Sequence, residues 1–138
     1  ARRDRTKRRT RKRFKTMNIL YLPLKKEWYE MIEAGIKKEE YREFKPYWLQ
    51  RLMLWADGER IDKISAERVM EHPIGTFEWG PQFKDYDAVC FSYGYTKRQM
   101  LWECKGITIG KGRPEWGAPD HETFIIKLGN RLNDERSQ

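Results

Sequence analysis

The sequence is short of the residues that small proteins use as covalent or metal staples. It has two cysteines, Cys90 and Cys104, and two histidines, His72 and His121, in 138 residues. Their spacing is not that of a zinc site, and two thiols suit a reducing compartment, where they behave as small core hydrophobes. No metal and no cofactor is expected, and the isolated histidines receive no role. Long apolar runs are missing too. The longest apolar-rich stretch, Asn18 to Leu24, contains Pro23 and falls far below the roughly 18–20 residues that cross a bilayer. It is also too short for the apolar region of a secretory signal, and no small-residue cleavage site follows. A cytoplasmic protein without a membrane partner is therefore expected.

What the sequence has in abundance is positive charge at one end. The formal charge is +8, from 29 Lys and Arg against 21 Asp and Glu. Residues 1–16 hold ten basic side chains (Arg2, Arg3, Arg5, Lys7, Arg8, Arg9, Arg11, Lys12, Arg13 and Lys15) against Asp4 alone, a charge of +9. That leaves 19 basic and 20 acidic residues in 17–138, a charge of −1. A uniformly basic domain is excluded. The arm has one aromatic, Phe14, and no aliphatic residue beyond Ala1, so alone it cannot bury enough apolar surface to offset its ordering entropy and should be disordered. Arginine outnumbers lysine seven to three there, which favours bidentate phosphate contacts and base stacking over simple charge attraction. Arginine-rich segments fold on entering RNA grooves, so a structured RNA is the first partner to consider, ribosomal RNA in a ribosome among them. A solvated basic tail or a localisation signal explains the same composition, whereas membrane-surface binding would call for an apolar face that is absent. The leading alanine fits removal of an initiator methionine, and Met17 equally fits an alternative start.

The body is long enough for one domain with a core closed without staples. It is read as residues 17–132, followed by a polar tail over 133–138. Asn18 to Leu24 reads as a strand, with Pro23 ending its pairing at one edge. In Lys25 to Ile36, Trp28, Met31, Ile32 and Ile36 form a helical stripe and Gly35 a stop. Lys37 to Phe44 has strand spacing, Pro46 starts a short aromatic helix over Tyr47–Leu52, and Ile61 to Met70 has helical spacing. Gly75, Gly80 and Pro81 mark a loop. Strands follow at Asp87–Tyr95, Met100–Ile109 and Glu122–Leu128, with a turn over Thr96–Gln99 and a Gly/Pro-rich connection over Gly110–Pro119. A hairpin centred on Lys97 would set Cys90 opposite Cys104 as packed thiols without a disulfide. The pattern is α+β, a small open β-barrel with flanking helices. Trp28, Trp48 and Trp102 have core periodicity.

Chemistry concentrates at Gly35-Ile-Lys-Lys-Glu-Glu-Tyr-Arg42, where a helix turns into a strand. Gly35 permits a tight exit with positive φ. Glu40 and Arg42, two apart in a strand, share a face and suit a carboxylate–guanidinium pair. If that face is partly buried, desolvation should lower the Lys37 pKa while Glu40 opposes the shift. A charged edge strand that discourages edge pairing accounts for these residues as well.

Gly35-x-Lys37-x-x-Glu40-x-Arg42 after a helix resembles the GxKxxExR signature of ASCH domains, relatives of the PUA RNA-binding fold. LPLKKEWYEMIEAG, YREFKPYW, VCFSYGY, ECKGITIGKGRPEWGAP and FIIKLG also look like the small phage and bacterial subgroup. The resemblance implies a PUA-like barrel and a cleft near the signature that takes RNA or nucleoside ligands. Some ASCH proteins are acetylcytidine amidohydrolases that use a lysine in this motif, a threonine three residues on and a glutamate from a later strand. Lys37 is present here, Glu40 stands in the threonine position, and Glu103 stands by loose analogy for the later glutamate. The missing hydroxyl removes the candidate nucleophile or proton shuttle. Ribonuclease activity suggested for other members would draw on Lys37, Tyr41 and Arg42. Tyr93 and Tyr95, flanking Gly94, and Trp116 in the Gly/Pro loop are candidates for stacking on unpaired bases, although Trp116 closing one barrel end fits equally.

The leading expectation is an RNA-binding protein whose arm anchors it to a structured RNA while Lys37, Arg42, Tyr93, Tyr95 and Trp116 contact a local feature. The alternatives are a metal-independent hydrolase of RNA or a modified nucleoside through Lys37, Glu40 and Glu103, and a protein-binding regulator of transcription or translation.

Overall fold

Alternating burial in the first strand sets the core. In a computed structural model that describes residues 16–71 and 80–132, β1 (Ile19–Leu24) buries Leu20, Leu22 and Leu24 and turns the intervening residues outward. The arm residues Arg2, Arg3, Arg5, Lys7, Arg8, Arg9, Arg11, Lys12, Arg13 and Lys15, together with His72, Gly75 and the tail over 133–138, lie outside the described residues. Among the described strands β1 is at an edge, paired with β5 (Ala88–Tyr93) alone and in parallel. Pro23, which has no N–H to offer a second neighbour, is therefore tolerated there.

The first helix, α1 (Lys26–Glu33), buries Tyr29 and Ile32. Of the expected stripe only Ile32 is buried. Ile36 is exposed because the helix has already ended at Gly35, whose φ is +80°. The Gly35 N–H donates to Ile32 O and the Ile36 N–H to Met31 O, both at 2.9 Å. This is a Schellman closure, in which glycine takes the left-handed position and the chain reverses.

β2 (Glu39–Arg42) then forms the opposite edge of the sheet, antiparallel to β7 (Thr123–Leu132). α2 (Pro46–Leu52) starts on Pro46 and buries Leu49 and Leu52, using proline where the helix has no N–H to satisfy. α3 (Lys63–Met70) is capped by Asp62, whose carboxylate accepts the Ser65 N–H at 2.7 Å. Of the loop expected around Gly75, Gly80 and Pro81, residues 72–79 lie outside the described residues, and Pro81 belongs to a strand. Pro81 opens β4 (Pro81–Phe83), which pairs with β3 (Met53–Trp55) in a small second sheet.

The main sheet has the order β1-β5-β6-β7-β2, with β6 spanning Gln99–Gly110, and is curled into a half-barrel. One continuous apolar cluster joins β1, α1, α2, α3, β5, β6 and β7. The α+β expectation of an open barrel-like sheet with flanking helices holds at that level. Among the described residues no helix is long and apolar enough to cross a membrane.

The β5–β6 hairpin differs in register from the sequence-based expectation. Cys90 faces Leu101, and Cys104 faces Leu128 across β6–β7. The turn comes earlier in the chain than one centred on Lys97: Gly94 takes φ +59° and the Tyr93 N–H closes on Arg98 O at 2.9 Å. An odd shift of register moves side chains to the other face. Cys90 accordingly packs with Ala88 and Leu101, while Cys104 packs against the main core on the opposite face.

Candidate functional site

The Schellman turn at Gly35 delivers Lys37 directly beneath the start of β2. The aliphatic stem and ammonium are 2% exposed. Lys37 Nζ lies 3.2 Å from Glu40 Oε1 and donates to the backbone carbonyl of Trp116. It also sits 4.6 Å from the Tyr41 ring centroid and 5.4 Å from that of Trp28. Burial pushes the Lys37 pKa down and Glu40 opposes the shift, as the sequence implied for a buried charge beside a carboxylate.

Strand alternation puts Glu40 and Arg42 on one face, and Arg42 Nη1 pairs with Glu40 Oε2. The guanidinium also donates to Tyr41 O at 2.8 Å and to Pro23 O at 3.2 Å. Arg42 thus ties the free edge of β2 to the end of β1. Glu40 is shared between two cations, so the buried Lys37 and Glu40 and the half-buried Arg42 neutralise one another with several hydrogen bonds.

A roof over this group comes from the connection between β6 and β7. Its turn Pro114–Trp116 ends at Gly117, whose φ is +95°. Two glycines let the loop sit close. A Cβ on Gly112 would overlap the Tyr41 ring, and one on Gly117 would lie 2.9 Å from Trp28 Cζ2. The Tyr41 hydroxyl donates to Glu39 Oε1 at 2.8 Å and accepts the Arg113 N–H at 3.1 Å. Burial raises the Tyr41 pKa, so this phenol stays protonated and acts as a tether.

Between roof and sheet lies a cleft of about 290 Å³, bordered by Pro23, Trp28, Glu40, Tyr41, Arg42 and Trp116. Lys37 does not border it; a second cleft of about 360 Å³ reaches Lys37 and is bordered by Lys38, Trp102, Lys105 and Arg131. Among the described residues no group of three or more His, Cys, Asp or Glu side chains is arranged to hold a metal.

Of the residues singled out by sequence, Lys37, Glu40, Arg42 and Trp116 come together. Glu103 does not join them: its carboxylate lies over Gly129 and accepts the Asn130 N–H at 3.3 Å. Tyr93 is used in packing the hairpin on α1. Its ring meets Tyr29 edge-on at 5.0 Å and its hydroxyl donates to Glu30 at 3.0 Å. Tyr95 is 98% exposed in the hairpin turn and does not line the cleft. Trp28, expected in the core, is a cleft wall instead. The available signal for this was the glycine pair in Gly112-Arg-Pro-Glu-Trp-Gly117, since glycines around a tryptophan mark a loop packed on something flat.

No family model, curated protein or solved structure matches this chain.

Proposed function

We propose that this is an RNA-binding protein of the ASCH, PUA-like type, in which the arginine-rich arm anchors the chain to a structured RNA, such as ribosomal RNA, and the cleft holds one unpaired base. The observation that carries the reading is the cleft between Trp28 and Trp116, whose 290 Å³ suits a single base. Indole walls stack on any base, and the Glu40 and Arg42 edge offers an acceptor and donors for its polar rim. Glu103, Tyr93 and Tyr95 have no part in this reading.

Binding without turnover is favoured over hydrolysis. Lys37 is lowered in pKa, as a general base requires, but its ammonium is already committed to Glu40 and Trp116 O and is closed from solvent. Moving a proton to a ligand would break the contacts that hold the roof.

Titration of the full chain with the four nucleoside 5′-monophosphates, followed by tryptophan fluorescence, tests the reading. At least one should quench, and Trp116→Ala should weaken it about tenfold or more, since a stacked base is worth about 1–3 kcal/mol. Quenching by none of the four, or affinity unchanged in Trp116→Ala, overturns it. Release of a hydrolysis product during the titration would favour the hydrolase instead.

A further inference from the structure

The outer face of α2 carries a row of alternating aromatic and guanidinium groups that the cleft does not use. Tyr47 is 58% exposed, and its ring meets Trp48 edge-on at 4.9 Å. The Arg51 guanidinium lies 5.9 Å from the Tyr47 centroid and 5.2 Å from that of Trp48. Arg42, which borders the cleft, lies 5.1 Å from the same Trp48 ring. The row therefore begins at the mouth of the cleft and ends at an open tyrosine face. Arg51 is held in place by donating to Tyr21 O at 3.2 Å.

The surroundings are cationic. The Lys84 ammonium is held below the usual lysine range by burial and by the charges of Arg60 and Arg51. Among the described residues none of Arg51, Arg60 and Lys84 forms an ion pair. Like charges that pair with no carboxylate among the described residues repel one another, and an arriving phosphate removes that repulsion. The exposed Tyr47 ring beside arginine adds a face on which a base stacks, with the half-buried Trp48 ring packed behind it on the core. An acidic peptide would satisfy the charges and leave the rings unused.

Building on the base-binding reading of the cleft, we infer that Tyr47, Trp48 and Arg51, with Arg60 and Lys84 beside them, bind the nucleotide next to the one in the cleft. The recognised unit is then a single-stranded RNA segment of two or more nucleotides, not an isolated nucleoside. Arg42 belongs to both subsites and sets the direction of the strand from cleft to α2.

The test compares two probes on the full chain: a nucleoside monophosphate that quenches the cleft tryptophans, and single-stranded RNA heptamers containing that base. Affinities are compared at about 0.5 M salt, where the attraction of the arm for phosphate is largely screened, and the salt slope is read by varying salt around that value. Tyr47→Ala should weaken the heptamers about tenfold and leave the mononucleotide unchanged, while Tyr47→Phe should retain heptamer affinity. Lys84→Gln should flatten the dependence of heptamer affinity on salt by about 0.7 in the logarithmic slope. Heptamer affinity unchanged in Tyr47→Ala overturns the inference, and the cleft reading survives if Trp116→Ala still loses the mononucleotide. An equal loss for both probes in Tyr47→Ala also overturns it, because the residue would then act through the cleft. Failure of the unaltered chain to bind the mononucleotide overturns the cleft reading itself.

Discussion

At the scale of single residues, Lys37 decides how the site is held. Its ammonium meets Glu40 and the Trp116 carbonyl, with two aromatic rings nearby. Replacement by methionine keeps the stem and leaves Glu40 paired with Arg42, so the loss centres on the unsatisfied Trp116 carbonyl. That should cost about 1–3 kcal/mol at neutral pH in urea unfolding. The deficit should depend on pH in a defined direction. Because the folded pKa of Lys37 lies below its usual 10.5, the unfolded chain binds the extra proton between those two values. Stability of the unaltered chain relative to Lys37→Met should therefore rise as pH climbs from the lowered value toward 10.5. Tyr41 acts oppositely: its raised pKa contributes stability that is present below its usual 10.0 and is lost above it. Unfolding curves whose difference does not change with pH would show that the Lys37 pKa is the same in the folded and unfolded chains.

At the scale of elements, the β6–β7 connection turns a sheet edge into a cleft. Its position rests on the absence of two side chains, at Gly112 and Gly117. Adding a methyl at Gly112 pushes on the Tyr41 ring, which is fixed by its bonds to Glu39 and the Arg113 N–H. Gly112→Ala should destabilise by about 1–3 kcal/mol, the usual range for overpacking. It should also lift Trp116 from Trp28 and weaken mononucleotide binding. A melting temperature and affinity equal to those of the unaltered chain would show that the roof has room to spare.

Across the whole molecule, charge divides the work. Residues 1–16 carry +9 and the remainder −1, so in the proposed reading long-range attraction for phosphate belongs to the arm and selectivity to the body. Deleting residues 1–16 should lower affinity for a structured RNA and flatten its salt dependence by about 0.9 in the logarithmic slope for each duplex phosphate that the arm neutralises. Mononucleotide binding in the cleft should persist. A truncated chain with the same RNA affinity and salt slope would show that the arm does not engage phosphate.

Local order was the part written most openly in the sequence. The Gly35 stop, the Pro46 start and the alternation through β1 each follow from backbone sterics and side-chain period, and the expected elements appear within a few residues. The pairing of Lys37, Glu40 and Arg42 was legible for the same reason, since all three lie within six consecutive residues across one helix-to-strand turn. Long-range placement was not legible. The partner of Cys90 depended on where the chain turns, at Gly94 and not around Lys97, and Trp28 became a wall because Tyr29 took the buried face of α1. Trp116 reached Lys37 only because the sheet curls enough to bring the β6–β7 connection over β2, 79 residues away in sequence. Periodicity is a property of neighbouring residues, so the sequence by itself determined the elements and the charged turn. The cleft is a meeting of distant surfaces, and only packing around the common core decided it.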